Sequence, residues 1–144
     1  MNAKKHKFIP PPPFFFTVSV AIFCLIACSD GINDRLEGKW QLQQVESPWG
    51  KEKADTLFYN FLTSLFMYQV YHAEADTFSH CYGFKLMETT NRLKLELTGY
   101  SISLAKFLPQ TDWEGPQRSF IVEKITDNRL VLVSGEKRYT FRRF

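Results

Sequence analysis

Leu93, Leu95 and Leu97 alternate with Lys94 and Glu96, and a strict period of two belongs to a strand with one buried and one wetted face. The same period recurs along most of the chain. Trp40 and Leu42 share a phase around Gln41; Phe78, His80, Tyr82, Phe84 and Leu86 share one across a strand of about ten residues. Leu130 and Leu132, then Tyr139 and Phe141, repeat it near the C-terminus. Turn residues fall between these runs, at Ser47-Pro48-Trp49-Gly50, Leu62-Thr63-Ser64, Ala73-Glu74-Ala75-Asp76, Thr89-Thr90-Asn91, Asp127-Asn128 and Ser134-Gly135-Glu136. The pattern predicts eight strands, 38–46, 55–61, 64–72, 76–87, 91–98, 118–126, 129–134 and 137–143. Residues 99–117 interrupt the hairpins, with about two helical turns expected over Ser101 to Leu108 before Pro109. Successive hairpins of this length close most simply as an all-β, eight-stranded antiparallel up-and-down barrel with one short helix, which removes exposed edges. An open sandwich of the same strands is the alternative.

The N-terminus has a different character. Lys4, Lys5 and Lys7 precede an apolar run from Phe14 to Ile26, and the run closes on Leu25-Ile26-Ala27-Cys28. Its 13 residues are too few for a spanning helix. A basic start, a short apolar stretch and a small residue before a cysteine form the anatomy of a cleaved lipoprotein signal. Residues 1–27 are therefore expected to be removed, and Cys28 to carry two or three acyl chains, including palmitate, that anchor firmly. An uncleaved signal anchor, or a buried apolar segment of the fold, is the competing reading. Pro10 to Pro13 cannot be helical and reads as a stiff polyproline spacer. Residues 28–35 read as a tether, polar and containing Gly31 and Asn33, and residues 36–144 as the folded domain. Ser29, standing where an aspartate would favour inner-membrane retention in enterobacteria, points to the outer membrane, on its periplasmic face or at the cell surface.

Cleavage changes what composition implies. The leader removes three lysines from 18 basic residues, leaving 15 against 15 acidic ones, so a nucleic-acid partner is not expected. The remaining 117 residues suit one domain with a real core. Cys24 leaves with the leader and Cys28 is acylated, so Cys81 stands alone; no intrachain disulfide is expected, and Cys81 reads as a small buried strand residue.

Catalytic patterns are sparse. His72, Glu74, Asp76 and His80 lie within nine residues, but the acids belong to a hairpin turn and the histidines to opposite strands, so no metal is expected. The sequence carries no Gly-rich phosphate loop and no Gly-x-Ser-x-Gly elbow. Asp112 and Glu114 flank Trp113 and invite a carboxylate-pair reading, yet a solvated loop with one tryptophan folded onto a barrel mouth explains them better. No catalytic residue and no cofactor are assigned, and an enzyme is not expected. Aromatic residues are the anomaly: Phe58, Tyr59, Phe61, Phe66, Tyr68, Tyr71, Phe78, Tyr82 and Phe84 crowd three consecutive strands on both faces. Core filling explains one face; the other is either a contact surface or ground covered by residues 99–117.

Leu36-Glu37-Gly38-Lys39-Trp40 carries the Gly-x-Trp that opens the first strand of lipocalins, and the chain ends on Tyr139-Thr140-Phe141-Arg142-Arg143. The whole mature chain resembles the small lipocalin-like lipoproteins of Bacteroidetes. That resemblance implies a late arginine packed across the first-strand tryptophan at the closed end of the barrel. Arg143, in phase with Tyr139 and Phe141, is the candidate, so Gly38, Trp40 and Arg143 are the expected closure. The expected function is a membrane-anchored lipoprotein holding a small apolar or amphipathic ligand, with His80 and Tyr82 as lumen contacts and Trp113 at the mouth. A filled barrel serving as an interaction module, either a subunit of an envelope complex or an enzyme inhibitor, is the alternative.

Overall fold

The computed structural model describes residues 31–144. The acylation site assigned to Cys28 and the leader before it lie outside the described residues. A short helix, α1 (Ile32–Leu36), precedes the strands β1 (Gly38–Ser47), β2 (Gly50–Lys53), β3 (Leu57–Phe61), β4 (Leu65–His72), β5 (Thr77–Met87) and β6 (Arg92–Leu97). The helix α2 (Leu104–Phe107) and a 3₁₀ turn (Leu108–Gln110) follow, then β7 (Gln117–Ile125), β8 (Arg129–Ser134) and β9 (Lys137–Arg143). Consecutive strands pair antiparallel from β3 to β9, and β9 returns to pair with β1, so the sheet closes on itself. Beyond β1, β2 holds the second half and β3 the first half. They act as one broken stave of an eight-stranded barrel. The break falls at Ala54, whose backbone N–H still donates to the Gln43 carbonyl at 3.1 Å.

Side chains alternate as the period of two requires. Trp40, Leu42, Tyr59, Phe61, Phe66, Tyr68, Leu93, Leu95, Phe120, Leu132, Tyr139 and Phe141 all point into one continuous core. Two register shifts, between Leu42 and Gln44 and between Val122 and Lys124, insert an extra residue into a wall strand. Such bulges bend a strand and reset which residues face inward. The bulge in β1 brings Val45 rather than Gln44 opposite Tyr139, returning an apolar residue to the lumen.

The expected inward phase of β5 is reversed. Cys81, Gly83 and Lys85 face the lumen, while His80, Tyr82, Phe84 and Leu86 face outward and are exposed. The reason lies in the register with β4, which sets Tyr68 against Cys81 and Phe66 against Gly83. The large β4 rings already occupy that part of the barrel, so positions 81 and 83 opposite them have room only for small side chains. His80 and Tyr82 are therefore not lumen contacts. Gly83 also lets β6 approach: a Cβ there would lie 2.0 Å from the Glu96 carbonyl oxygen. Gly83→Ala is expected to push these strands apart and cost about 2–3 kcal/mol by overpacking, measured as a lowered urea midpoint with unchanged slope. Cys81 is fully buried and donates to the Thr98 carbonyl at 3.1 Å. Burial pushes its thiol pKa up, which keeps it unreactive.

Ile32 to Arg35, read from sequence as part of the tether, instead fold as α1 and seal one end of the barrel, with Leu36 fully buried beneath. Trp40 Nε1 donates to the Leu36 carbonyl at 2.7 Å. The Arg143 guanidinium sits 4.4 Å from the centre of the Trp40 ring. It donates to the carbonyls of Glu37 at 2.9 Å, Arg35 at 3.1 Å and Asp127 at 2.6 Å. Gly38 has φ +119°, and a Cβ there would lie 2.6 Å from an Arg143 nitrogen. Only glycine suits both the backbone angle and the passing guanidinium. Arg142 lies outside, donating from Nε to Gln41 Oε1 at 2.9 Å.

Candidate functional site

At the opposite end, residues 99–117 fold over the mouth instead of the outer wall. Phe107 and Trp113 are buried there, and Phe107 meets the Tyr68 ring edge-on at 5.5 Å. Thr111 shapes the turn: its hydroxyl donates to the Leu108 carbonyl and accepts from the Trp113 backbone N–H. Trp113 stacks against Phe66 with centroids 6.1 Å apart and gives its indole N–H to the Tyr59 hydroxyl at 3.1 Å. It plugs the lumen from above and is only 5% exposed. Of the three expected ligand contacts, Trp113 alone lies at this end of the barrel, buried against Phe66 and Tyr59; His80 and Tyr82 lie on the outer wall.

The same loop lowers Asp112 onto the inward phases of β7 and β9. Its carboxylate pairs with Arg118 at 3.1 Å and Lys137 at 3.3 Å. Tyr139 donates its hydroxyl to Asp112 Oδ2 and accepts from Arg118. Arg118 also donates to Ser134 Oγ at 3.2 Å, and its guanidinium lies 5.0 Å from the centre of the Tyr139 ring. Burial alone would raise the Asp112 pKa, but the Tyr139 hydroxyl and the charges of Arg118 and Lys137 outweigh it and hold the carboxyl below its usual range. Burial, then Asp112, pushes the phenols of Tyr59 and Tyr139 up. Tyr68 moves up as well, by burial and then by its neighbour Tyr59. Asp112 thus stays ionised at neutral pH and the phenols stay neutral. The cluster is built to hold fixed charge and hydrogen bonds, with each shifted group displaced away from pH 7. A carboxyl held low in this way is a poor proton donor.

Beside this cluster the mouth stays open. A cleft of about 440 Å³ runs between the β1–β2 hairpin, β3 and β9. Leu42, Val45, Ala54 and Leu57 supply its apolar wall, and the rings of Tyr59, Tyr68 and Tyr139 its floor. Ser47, Trp49, Glu52, Asp112 and Lys137 form the rim. Trp49, at the hairpin tip, is 86% exposed and also borders a second hollow of about 550 Å³ on the far side of Asp112 and Lys137. The cleft was hidden in the sequence because its residues come from four separated segments. Arg118, in phase with Phe120 and Val122, was the available signal: a charge on an inward phase needs a buried partner. Among the described residues no three His, Cys, Asp or Glu side chains gather as a metal site; His72 Nε2 lies 2.8 Å from Ser79 Oγ.

The chain is similar to a lipocalin-like protein from Bacteroides uniformis ATCC 8492, at 25% identity and a TM-score of 0.68 over 76% of this chain and 99% of that one. It shares its fold with an uncharacterized protein from Bacteroides eggerthii DSM 20697, at 24% identity and a TM-score of 0.63, again over 76% of this chain and 99% of the other. A search of curated protein sequences found no match. The family model of the lipocalin-like domain matches residues 22–144. With the barrel closed between β1 and β9 and Arg143 laid across Trp40, the chain belongs to the lipocalin-like domain family.

Proposed function

We propose that this is a lipid-anchored binding protein of the cell envelope, held at the outer membrane through Cys28, whose barrel mouth receives a small amphipathic ligand. The observation that carries the reading is the cleft: an apolar wall of Leu42, Val45, Ala54 and Leu57 facing a polar rim at Asp112 and Lys137. An apolar body would lie against the wall while a polar end meets the rim, the division of labour usual in small-molecule sites. Binding is shallow, because the rings of Tyr59, Phe66, Tyr68 and Trp113 pack against one another through the middle of the barrel. The role is non-catalytic in this reading, and neither a metal nor a cofactor is required. That same aromatic filling favours one second reading, an interaction module that binds a protein through the mouth.

Native mass spectrometry of the protein extracted from membranes is expected to show a bound small molecule. Ala54→Trp, which places an indole in the cleft, should weaken binding of an anionic naphthalene-sulfonate dye at least about tenfold, or 1.4 kcal/mol. No adduct and no saturable dye binding would turn the assignment to the interaction module. Cys28→Ser should abolish palmitate labelling, and unchanged labelling would remove the anchor.

A further inference from the structure

The outer wall of β4 and β5 is apolar at its closed-end half. Leu65 stands opposite Phe84, and Met67 opposite Tyr82. Leu86 follows Phe84 on the same side of β5, and Leu62 in the β3–β4 turn donates its backbone N–H to the Leu65 carbonyl at 3.0 Å. Leu62, Leu65, Tyr82, Phe84 and Leu86 are 46–57% exposed. Half of five large side chains comes to on the order of 400 Å², a size that marks contact surfaces on monomers. Residues 99–117 leave this wall bare because they bury Phe107 and Trp113 in the mouth instead.

The patch lies at the end from which the chain runs back to Cys28. Glu37, directly after α1, accepts a hydrogen bond from Thr63 at 2.9 Å, beside Leu62. Four residue steps separate Cys28 from Ile32, about 14 Å at full extension. An acyl group on Cys28 therefore holds the closed end within roughly that distance of a bilayer surface. At such range a second, weak apolar contact forms at high effective concentration, so a modest patch is enough to fix orientation.

We propose that Leu62, Leu65, Tyr82, Phe84 and Leu86 form a membrane-docking face that lies in the headgroup region of the bilayer holding Cys28. The occupant is the lipid surface itself, and the inference rests on the lipid-anchor reading. Leucine and aromatic side chains, with a tyrosine hydroxyl among them, are the kinds that settle at a lipid–water boundary. Docked in this way, the barrel turns its mouth away from the membrane, toward the aqueous side.

The test uses the acylated full-length protein in vesicles of phosphatidylethanolamine and phosphatidylglycerol. A nitrobenzoxadiazole fluorophore is attached through Phe84→Cys or Leu86→Cys, and through Glu136→Cys near the mouth as control; Cys81, fully buried, stays unlabelled. Lipids carrying a shallow doxyl quencher should quench the labels at 84 and 86 at least twofold more than the label at 136. Adding Leu62→Glu and Leu65→Glu should abolish that difference while the protein stays on the vesicles. An acylated, vesicle-bound protein whose label at 84 is no more quenched than the label at 136 would overturn the docking face and leave the anchor standing. Emission from 84 that responds to protein density and not to the quencher would assign the face to a second copy instead, and overturn it equally. Loss of palmitate labelling together with release from vesicles would remove the anchor reading and the docking face together.

Discussion

Trp40→Ala is expected to destabilise the barrel by about 3–5 kcal/mol, the range for deleting a fully buried large aromatic. Trp40 has no exposed surface, packs between β3 and β9, and holds α1 through its bond to the Leu36 carbonyl. Arg143→Ala should cost less, about 1–3 kcal/mol, through lost stacking and the carbonyls of Arg35, Glu37 and Asp127 left without their donor. Arg142→Ala, which breaks one outward bond to Gln41, should stay near 0.5 kcal/mol. The losses at Trp40 and Arg143 should fall short of additivity, since the arginine covers nothing once the indole is gone. Urea melts of the single and double variants measure this. A strictly additive pair, or Arg142 outweighing Arg143, would contradict the closure.

The second large effect lies at alkaline pH. Tyr59, Tyr68 and Tyr139 all have phenols displaced upward, with burial the leading cause in each. In the unfolded chain they ionise near pH 10, whereas the folded protein keeps them neutral. The unfolded state therefore binds fewer protons above pH 10, and stability is full below that value and lost as pH rises toward the folded pKa values. Each group contributes about 1.4 kcal/mol per pH unit in this window, so three should remove about 4 kcal/mol between pH 9 and 11. Tyr68→Phe should cut the loss by about a third. Denaturant melts across this range test it, with tyrosinate absorbance reporting whether the three phenols titrate only on unfolding; an unchanged midpoint from pH 9 to 11 would contradict the burial. Asp112 sets the acid limb with the opposite sign: its stabilisation is present above the ordinary carboxyl range and lost as pH falls through the lowered value.

The closed end was legible in the sequence, and the mouth was not. Gly38, Trp40 and Arg143 sit at fixed places in the first and last strands; the family resemblance implied that they meet, and the period of two singled out Arg143 rather than Arg142. On β5 the period was right and its direction wrong, because alternation says that two faces differ and not which faces inward; the register of Phe66 and Tyr68 decides that. Five-residue α1 has too few positions to show an apolar stripe and is seated by Trp40 and Arg143 rather than by its own sequence. Asp112, Arg118, Lys137 and Tyr139 meet only because a loop folds across the barrel, a relation no local pattern records.

Arg143 fastens the carbonyls of Arg35 and Glu37 across separations of 108 and 106 residues. Every hairpin can form locally, but this clasp has no partner until the last strand is available. Contacts of such span are late and slow, since loop closure must precede the energy they return. The edge of β1 therefore stays without its β9 partner, and the sheet stays open, until the last strand has formed. A chain ending at Phe141 would keep four of the six register pairs that join β1 to β9, and would lose Arg143 and with it the clasp on the carbonyls of Arg35 and Glu37: a ring still paired along its wall and unfastened at its closed end.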